Sequence, residues 1–355
     1  MKLIHTSDIH LASSLTSRLP AAKALRRAQE LWTSLAEICE RGEALGAKAV
    51  IISGDLFDTQ KITAKNLDTL LAIIERFSNL LFFYLPGNHE REALSASLSA
   101  LPENLFIFGS DWTYFELGDI RLCGRTQTAR DMHKTLQLGP GKNIVVLHGE
   151  LREHSLENGV IGIKDFSELD IDYMALGHYH SYSSTPLGRR GAAVYSGTPE
   201  GRGFDEAGEK GFCLIDASQH GISHKFIPCA KRRLIIKDVD VSSAERTAEV
   251  ERLITNALLD IGEENIVRIK LVGSKGIQLK PDLALITARF EKRFFYFEIK
   301  DCTRLAAEAE DFRYDKSLRG EFIRLCLSDP GLEEELRQKI IYCGLSALDG
   351  EAFDE

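Results

Sequence analysis

Five short apolar runs, each followed at once by a cluster of Asp, His, Asn or Gly residues, most constrain the fold of this 355-residue chain. The runs end at residues 6, 53, 85, 147 and 176, and two amphipathic helical patterns, 25–45 and 62–77, separate the first three. Strands that alternate with helices are typical of a layered α/β domain. Two later stretches, 115–122 and 212–227, predict antiparallel hairpins. We therefore expect mixed sheets.

The pattern changes after residue 230, where a basic stretch, 231–233, leads into a second region. Two helices and three strands without ligand-type clusters are predicted there, ending in an aromatic strand, 294–299, whose rings alternate as core residues do. Two amphipathic helices follow, at 318–327 and 332–345. We predict a ligand-bearing domain over 1–230, a small α/β domain over 231–300 and a C-terminal helical segment over 301–355.

Composition excludes several classes of protein. The net charge is −9 and the chain has no basic tail, which argues against a protein that coats nucleic acid by charge alone. The longest apolar runs are far shorter than the ~20 residues that cross a bilayer. Seven cysteines lie far apart without a C-x-x-C pair, so neither a disulfide framework nor a structural zinc site is indicated. We expect a soluble protein of the reducing cytoplasm, with no membrane association.

The polar clusters supply ligands for metal ions. The carboxyl ends of strands converge at one edge of an α/β sheet, so the clusters are expected to meet there. Their candidate ligands are Asp8, His10, Asp55, Asn88, His148, His178 and His180. Mixed nitrogen and oxygen donors suit manganese, iron or zinc better than calcium or magnesium. Seven ligands are too many for one ion, so we expect two ions, about 3.5–4 Å apart, that share one carboxylate.

Two such ions predict hydrolysis of a phosphate ester, because a hydroxide that bridges them attacks phosphorus while the cations neutralise the developing charge. The leaving oxygen then needs a proton. His89 is adjacent to a ligand and surplus to the metal count, so we expect it to be the general acid. Asp58 is its expected partner, which orients the imidazole and raises its pKa.

Other histidines are weighed against these. His154 is the alternative to His148, but His148 directly follows a buried strand, as the other ligands do. Structural or surface roles are expected for four more, His5, His133, His220 and His224.

The clusters, taken in order, resemble the motifs of the calcineurin-like metallophosphoesterases over roughly the first 230 residues. The matching motifs are Asp8-x-His10, Gly54-Asp55-x-x-Asp58, Gly87-Asn88-His89-Glu90, His148 and Gly177-His178-x-His180. The resemblance implies a four-layer sandwich of two mixed β-sheets flanked by helices. It also implies that Asp8, His10, Asp55 and His180 hold one ion. Asp55, as the bridge, Asn88, His148 and His178 would hold the other.

Within this superfamily the chain is similar to the bacterial DNA-repair exonucleases of the SbcD type, in 7–11, 54–58, 175–178 and 195–200. Asp58 agrees with this bacterial branch, since a second histidine is usual in the eukaryotic and archaeal one. The region 231–300 has the place and size of the small capping domain found in the family. The resemblance implies manganese-dependent DNA exonuclease or endonuclease activity in DNA repair, by a homodimer that works with an SbcC-like coiled-coil ATPase.

Six arginines in predicted loops or at helix ends are candidate contacts to substrate phosphates. They are Arg18, Arg125, Arg152, Arg189, Arg190 and Arg202. The two C-terminal helices are a candidate dock for the ATPase, although packing on their own domain is the commoner role of such helices.

Two other functions remain open from the residues. One is a small-molecule phosphodiesterase or phosphatase with the same metal ligands, which would not need the additional α/β domain beside its site. The other is a subunit that binds DNA ends as a scaffold for its ATPase, which would not need His89 or a full set of ligands. Both features favour the nuclease.

Overall fold

The computed structural model describes residues 1–15, 19–58, 62–86, 90, 102–218, 221–276, 279–306 and 312–348. The chain divides into two compact units, Met1–Leu234 and Ile235–Glu355. The first unit ends close to the boundary predicted at residue 230. Within the described ranges, no helix is both long and apolar enough to span a membrane.

The first unit contains fourteen strands and two long helices among its described residues. In chain order the strands are β1 (Lys2–Thr6), β2 (Ala47–Ser53), β3 (Leu81–Leu85), β4 (Leu105–Ile107), β5 (Thr113–Leu117), β6 (Ile120–Gly124), β7 (Lys142–His148), β8 (Glu150–Arg152), β9 (Val160–Gly162), β10 (Tyr173–Gly177), β11 (Ser183–Leu187), β12 (Gly191–Tyr195), β13 (Gly211–Asp216) and β14 (Ser223–Pro228). The helices are α1 (Ala21–Ala44) and α2 (Ala64–Arg76).

Twelve of these strands form two six-stranded mixed sheets. The first has the order β14-β13-β1-β2-β3-β4, in which β1 to β4 are parallel, β13 is antiparallel to β1, and β14 is antiparallel to β13. The second has the order β11-β12-β10-β7-β6-β5, in which the four central strands are parallel and the two edge strands antiparallel. Both predicted hairpins are present, as β5–β6 and β13–β14.

The two sheets pack face to face around a shared apolar core. Leu3 and Ile51 of the first sheet and Val146 and Ala175 of the second belong to this fully buried cluster. Strands buried on both faces read as continuous apolar runs, which is the pattern seen in the sequence. Helices α1 and α2 cover the outer face of the first sheet, and loops with two single-turn 3-10 helices, 132–135 and 163–166, cover that of the second. The predicted sandwich of two mixed sheets flanked by helices is confirmed.

A buried network of charges ties α1 to the chain that follows β12. Arg27 donates to Glu200 at 3.0 Å and to Glu30, and Glu30 accepts a further hydrogen bond from Arg232 at 2.7 Å. The Ser34 hydroxyl donates to Glu200 at 2.7 Å. Because buried charges are tolerated only when paired, this network fixes its members in place. The basic stretch at 231–233 is therefore partly an internal ion pair rather than an exposed patch.

The second unit is a smaller α/β unit. Its strands are β15 (Leu234–Asp240), β16 (Ile266–Val272), β17 (Ser274–Gly276), β18 (Tyr296–Asp301) and β19 (Arg304–Ala306). Its helices are α3 (Thr247–Ala257), α4 (Leu283–Phe290), α5 (Leu318–Ser328) and α6 (Glu334–Leu348). Strands β15, β16 and β18 form one sheet, and the aromatic residues Phe294 and Phe297 lie in its core. Strand β19 pairs with β17, so the predicted division at residue 300 is crossed by a sheet contact within one compact unit.

Candidate metal centre

The loops that follow β1 and β2 run side by side at the carboxyl edge of the first sheet. The Asp8 amide donates to the Gly54 carbonyl oxygen at 3.1 Å, and the His10 amide donates to the Asp55 carbonyl oxygen at 3.0 Å. One residue further, the Leu11 amide donates to Leu56 at 2.7 Å. These backbone hydrogen bonds hold the two loops together and bring both candidate carboxylates to the same place.

The backbone at four candidate ligands is in an unusual conformation. The φ angles are 51° at Asp8, 51° at His10, 48° at Asp55 and 117° at His178. Only six non-glycine residues have positive φ in the part of the chain that the structure describes, and these are four of them. Such conformations cost free energy and persist where the surrounding structure enforces them, as at functional sites. The strain is thus concentrated at the predicted ligands.

Three of these side chains form what we call the His180 group, Asp8, His10 and His180, whose ligand atoms all lie within 4.8 Å of one another. His180 Nε2 is 3.8 Å from Asp8 Oδ1 and 3.4 Å from His10 Nε2. On its other side, His180 Nδ1 is 2.8 Å from Glu206 Oε1. A carboxylate at that distance favours the proton on Nδ1, which leaves the Nε2 lone pair free to face a metal ion.

Glu206 is itself held in the ionised form. Burial alone would raise its pKa, but the hydrogen bond to His180 and the Arg202 guanidinium outweigh burial and lower the pKa to about 2. Arg202 Nη2 donates to Glu206 Oε1 at 2.9 Å, and Arg202 Nη1 donates to Asp58 Oδ1 at 3.2 Å. With its donors on two carboxylates, Arg202 is placed to position the ligand side chains rather than to bind substrate directly.

Asp58 lies beside His10, with 3.3 Å between Asp58 Oδ1 and His10 Nδ1. Its interaction with His10 lowers the pKa of Asp58, burial opposes this, and Ser13 and Arg202 add to the lowering. His10 Nε2 faces His180, and its Nδ1 lies near Asp58 without a hydrogen bond to it, so this contact is looser than that of Glu206 with His180. The predicted partner of Asp58, His89, lies outside the described residues, and that pair stays a prediction.

A second cluster, which we call the His148 group, contains Asp8, Asp55 and His148. His148 Nε2 is 3.6 Å from Asp55 Oδ2, and His148 Nδ1 is 2.9 Å from the Ser53 carbonyl oxygen, to which it can donate. The fit is tight: a Cβ atom at Gly54 would lie 2.0 Å from His148 Nδ1, and one at Gly177 would lie 1.8 Å from the Ser53 oxygen. Only glycine fits at these two positions, because the imidazole passes between the ends of both sheets.

Asp8 belongs to both groups, and the expected role of Asp55 as the bridge stays a prediction. The Asp8 carboxylate is fully buried, and each of its oxygens accepts a hydrogen bond from the His178 amide at 3.1 Å. The His178 ring lies 5.7 Å from the His148 ring, centroid to centroid, and is in neither group. Asp8 is therefore the carboxylate around which the described donors gather.

The donors of the two groups fit a pair of borderline divalent ions. Each group combines imidazole nitrogens with carboxylate oxygens, and His148 and His180 both direct Nε2 toward Asp8 or Asp55 while Nδ1 meets an oxygen outside the group. The predicted ligand Asn88 lies outside the described residues. Its neighbour Glu90 is buried and accepts hydrogen bonds from the Phe57 amide and the Tyr84 hydroxyl, which fixes the end of that motif.

The predicted phosphate-binding arginines fall in different places. Arg125 and Arg152 follow β6 and end β8, at the same edge of the second sheet as His148; Arg152 is paired with Glu150 at 3.0 Å. Arg189 and Arg190 lie in the turn that precedes β12, at the opposite end of that sheet, and Arg190 pairs with Asp172. Arg189 and Arg190 were expected beside the metal ligands. They lie instead at the amino end of β12, and because β12 is parallel to β10, this is the end opposite to the one that carries His178. Arg18 lies outside the described residues.

The other histidines that the structure describes belong to neither group. His154 is exposed, with Nδ1 3.4 Å from Asp165. His148 belongs to a ligand group, and His154 does not. His5 is fully buried between Tyr173 and Ser53, and burial lowers its pKa to about 3. His133 packs against Phe166 and His224 against Tyr173. His220 lies outside the described residues.

Two residues that hold candidate ligands, Ser53 and Glu206, and one that fixes a neighbouring loop, Glu90, are not assigned these roles by the sequence. Ser53 acts through its carbonyl, for which side-chain identity gives no signal. Glu206 lies in 204–206, Phe-Asp-Glu, after the Tyr195-Ser196-Gly197 stretch, and only its proximity in space to His180 distinguishes it. Glu90 directly follows the predicted general acid, so its place in a motif was a usable signal.

Comparisons with known proteins show the family of the chain. Residues 1–200 match the family model described as calcineurin-like phosphoesterase. The chain is 24% identical over 298 residues to the uncharacterized metallophosphoesterase YhaO of Bacillus subtilis, covering 77% of this chain and 72% of the relative. It is 24% identical over 372 aligned residues to the DNA double-strand break repair protein Mre11 of Methanosarcina acetivorans, covering 95% of this chain and 55% of the relative.

The chain thus spans about half the length of that archaeal relative. Among solved structures, the protein TT1561 of Thermus thermophilus aligns with a TM-score of 0.42 and 15% identity, over 63% of this chain and 98% of that one. The family model alone covers more than half of the chain. The chain belongs to the calcineurin-like phosphoesterase family.

Proposed function

We propose that this protein is a dinuclear-metal-dependent nuclease that hydrolyses DNA phosphodiester bonds in DNA repair. The observation that carries the proposal is the meeting of two ligand groups at one buried carboxylate, Asp8, where the carboxyl ends of both sheets converge. Similarity to a DNA double-strand break repair protein over 95% of this chain supports DNA as the substrate. The ions we propose are manganese, with iron or zinc as the other candidates.

The ligands of the two ions are proposed to be the seven predicted residues, Asp8, His10, Asp55, Asn88, His148, His178 and His180. When bound, two divalent ions supply positive charge that stabilises the phosphoryl group and activates water. The chain supplies the orientation. The Ser53 carbonyl and the Glu206 carboxylate lie 2.9 Å and 2.8 Å from the Nδ1 atoms of His148 and His180. Neither imidazole has to reorient when substrate arrives, which lowers the barrier.

The proton for the leaving oxygen is proposed to come from His89, the residue after the ligand Asn88. Asp58 is proposed as its partner in addition to the contact that Asp58 makes with His10. Arg125 and Arg152, at the edge of the second sheet that carries His148, are proposed to bind the flanking phosphates. A phosphodiester has two ester groups to hold, so contacts on either side of the scissile bond favour diesters over monoesters.

The partners we propose are a second copy of this chain and an SbcC-like coiled-coil ATPase. The chain is acidic overall, so long-range attraction to DNA is weak without another subunit. A labelled DNA hairpin is expected to be cleaved much faster when an SbcC-like ATPase is added with ATP. Cleavage that is indifferent to the ATPase would contradict the partnership but not the chemistry.

The enzymatic proposal is tested with the purified protein and manganese. We expect bis(p-nitrophenyl) phosphate to be hydrolysed faster than p-nitrophenyl phosphate. His89→Gln is expected to abolish turnover while retaining both ions, and His154→Gln, an exposed histidine outside both groups, serves as the matched control. Equal or faster hydrolysis of the monoester would instead favour a phosphatase.

A further inference from the structure

Two exposed tyrosines lie beside the metal centre. Tyr179 and Tyr182 are in the loop between β10 and β11, the same loop that carries His178 and His180, and they are 43% and 38% exposed. Among the phenylalanines, tryptophans and tyrosines that the structure describes, the only other side chain that is at least as exposed is Tyr314, in the second unit. The exposed aromatic surface of the first unit is therefore found at this one place.

The two rings are held by other aromatic residues. The Tyr179 ring lies edge-on to Tyr195, with 4.9 Å between centroids, and Tyr195 is fixed because its hydroxyl donates to the Gly149 carbonyl at 2.7 Å. Tyr182 is stacked on Phe226 with 4.7 Å between centroids. A rigid aromatic side chain loses little entropy when a flat ligand stacks on it. These tyrosines are preorganised for such a ligand.

Both tyrosines line an open cleft of about 390 Å³ that also includes His178, His180, Asp205 and Glu206. The volume is within the range of small-ligand sites, and the aromatic and polar groups together match a nucleoside rather than a bare phosphate. Two candidate ligands, His178 and His180, are among the residues that line it, and the Tyr179 ring lies 5.3 Å from the His178 ring, centroid to centroid. Tyr179 is therefore a direct neighbour of a candidate ligand.

Tyr179 also lies close to a basic side chain. The Tyr179 hydroxyl has the Glu150 carboxylate as its neighbour, and Glu150 in turn holds Arg152 at 3.0 Å. An aromatic ring beside an arginine is the combination that binds single-stranded nucleic acid, because the ring stacks on a base while the cation meets the backbone.

We propose that Tyr179 stacks on the nucleobase of the nucleotide next to the scissile phosphate, so that this site selects nucleotide esters with an unpaired base. A base inside a duplex has no free face, so the base must be unpaired or extruded before it can stack on Tyr179. The inference rests on the proposed function for the position of the phosphate. It adds the substrate class, a nucleotide with a single-stranded or frayed base.

Binding without turnover tests the stacking directly. Isothermal titration calorimetry with the manganese-loaded protein is expected to show thymidine 5′-monophosphate binding about tenfold tighter than methyl phosphate, since stacking on one base contributes about 1–3 kcal/mol. Tyr179→Ala is expected to abolish this difference and Tyr179→Phe, which keeps the ring, to preserve it. Tyr314→Ala removes an exposed tyrosine of the second unit and serves as the control. Equal binding of the two ligands by the unmodified protein would overturn the inference.

Turnover gives a second readout that a general structural defect would not reproduce. The ratio of kcat/KM for the p-nitrophenyl ester of thymidine 5′-monophosphate to that for methyl p-nitrophenyl phosphate is expected to fall about tenfold in Tyr179→Ala. An equal loss with both esters would show that Tyr179 merely supports His178, which overturns the inference. If thymidine monophosphate binds through Tyr179 but no diester is hydrolysed, the proposed function fails and the stacking site stands.

Discussion

The His180 group and the His148 group meet at Asp8, but their histidines are held in different ways. His180 Nδ1 faces a side-chain carboxylate, Glu206, which Arg202 keeps ionised. His148 Nδ1 faces a backbone carbonyl, and the ring fits only because two neighbouring residues are glycines. A carboxylate increases the basicity of the ligand as well as orienting it, whereas a carbonyl mainly orients it. The first group thus depends on side-chain charge and the second on close packing.

The largest effect is expected from the residue that the two groups share. Asp8→Asn keeps the shape of the side chain and the tolerance for positive φ, but it removes the charge common to both groups. We expect metal content to fall from about two ions per chain to less than one, and diester hydrolysis to fall about a thousandfold. Metal analysis and the bis(p-nitrophenyl) phosphate assay measure this, with the exposed Asp68→Asn as the control. Two ions retained in Asp8→Asn would show that Asp55 alone joins the groups.

A single added methyl group is expected to disrupt the His148 group. Gly177→Ala would place Cβ 1.8 Å from the Ser53 carbonyl oxygen and 2.7 Å from His148 Nδ1. We expect the free energy of unfolding to fall by about 3 kcal/mol and His148 to be displaced, with the loss of one ion. Urea unfolding and metal analysis test this. At Gly221 an added Cβ meets nothing, so Gly221→Ala is the matched control. Unchanged stability with both ions present would refute the packing argument.

The His180 group is tested by removing the charge of Glu206 without changing the shape of its side chain. In Glu206→Gln an amide oxygen still faces His180 Nδ1, but the negative charge is gone. We expect the affinity for one ion to fall about 10–100-fold while the other ion binds as before. Calorimetric titration of the metal-free protein with manganese measures both sites, and the exposed Glu209→Gln is the control. Equal weakening of both ions would mean that the two groups are not held independently.

The smallest effect concerns the pH dependence of stability beneath the His148 group. His5 Nε2 is 2.8 Å from the Ser53 hydroxyl, and burial lowers the pKa of His5 from 6.5 to about 3. Below pH 6.5 the unfolded state therefore binds a proton that the folded state does not. Between pH 7 and pH 5 the free energy of unfolding is expected to fall by up to about 2 kcal/mol, at about 1.4 kcal/mol per pH unit below pH 6.5. In urea unfolding at pH 7 and pH 5, the His5→Gln variant should show a shallower fall, and an identical slope would contradict this role.

Much of this arrangement could be predicted from local sequence. The five apolar runs identify strand ends, and position directly after a strand distinguishes His148 from His154. The helices α1 and α2 and both hairpins follow from periodicity and turn residues. Sequence proximity gave no signal for Glu206, which meets His180 only because the chain after β12 returns to the edge of the sheet. The side of the sheet on which Arg190 lies depends on strand direction, which single strands do not reveal.

The fold class, the family and the residue types that can hold metal follow from the amino-acid sequence alone, because each depends on short runs of neighbouring residues. Only the tertiary structure shows that Asp8 is common to both groups. It also shows that His180 faces the Glu206 carboxylate, that His148 faces the Ser53 carbonyl, and that Tyr179 is exposed beside them. These features depend on loop curvature and on contacts between residues far apart in the chain, such as Asp8 with His178. Spacing along the chain fixes which residues reach an edge, but packing fixes which atoms face each other there.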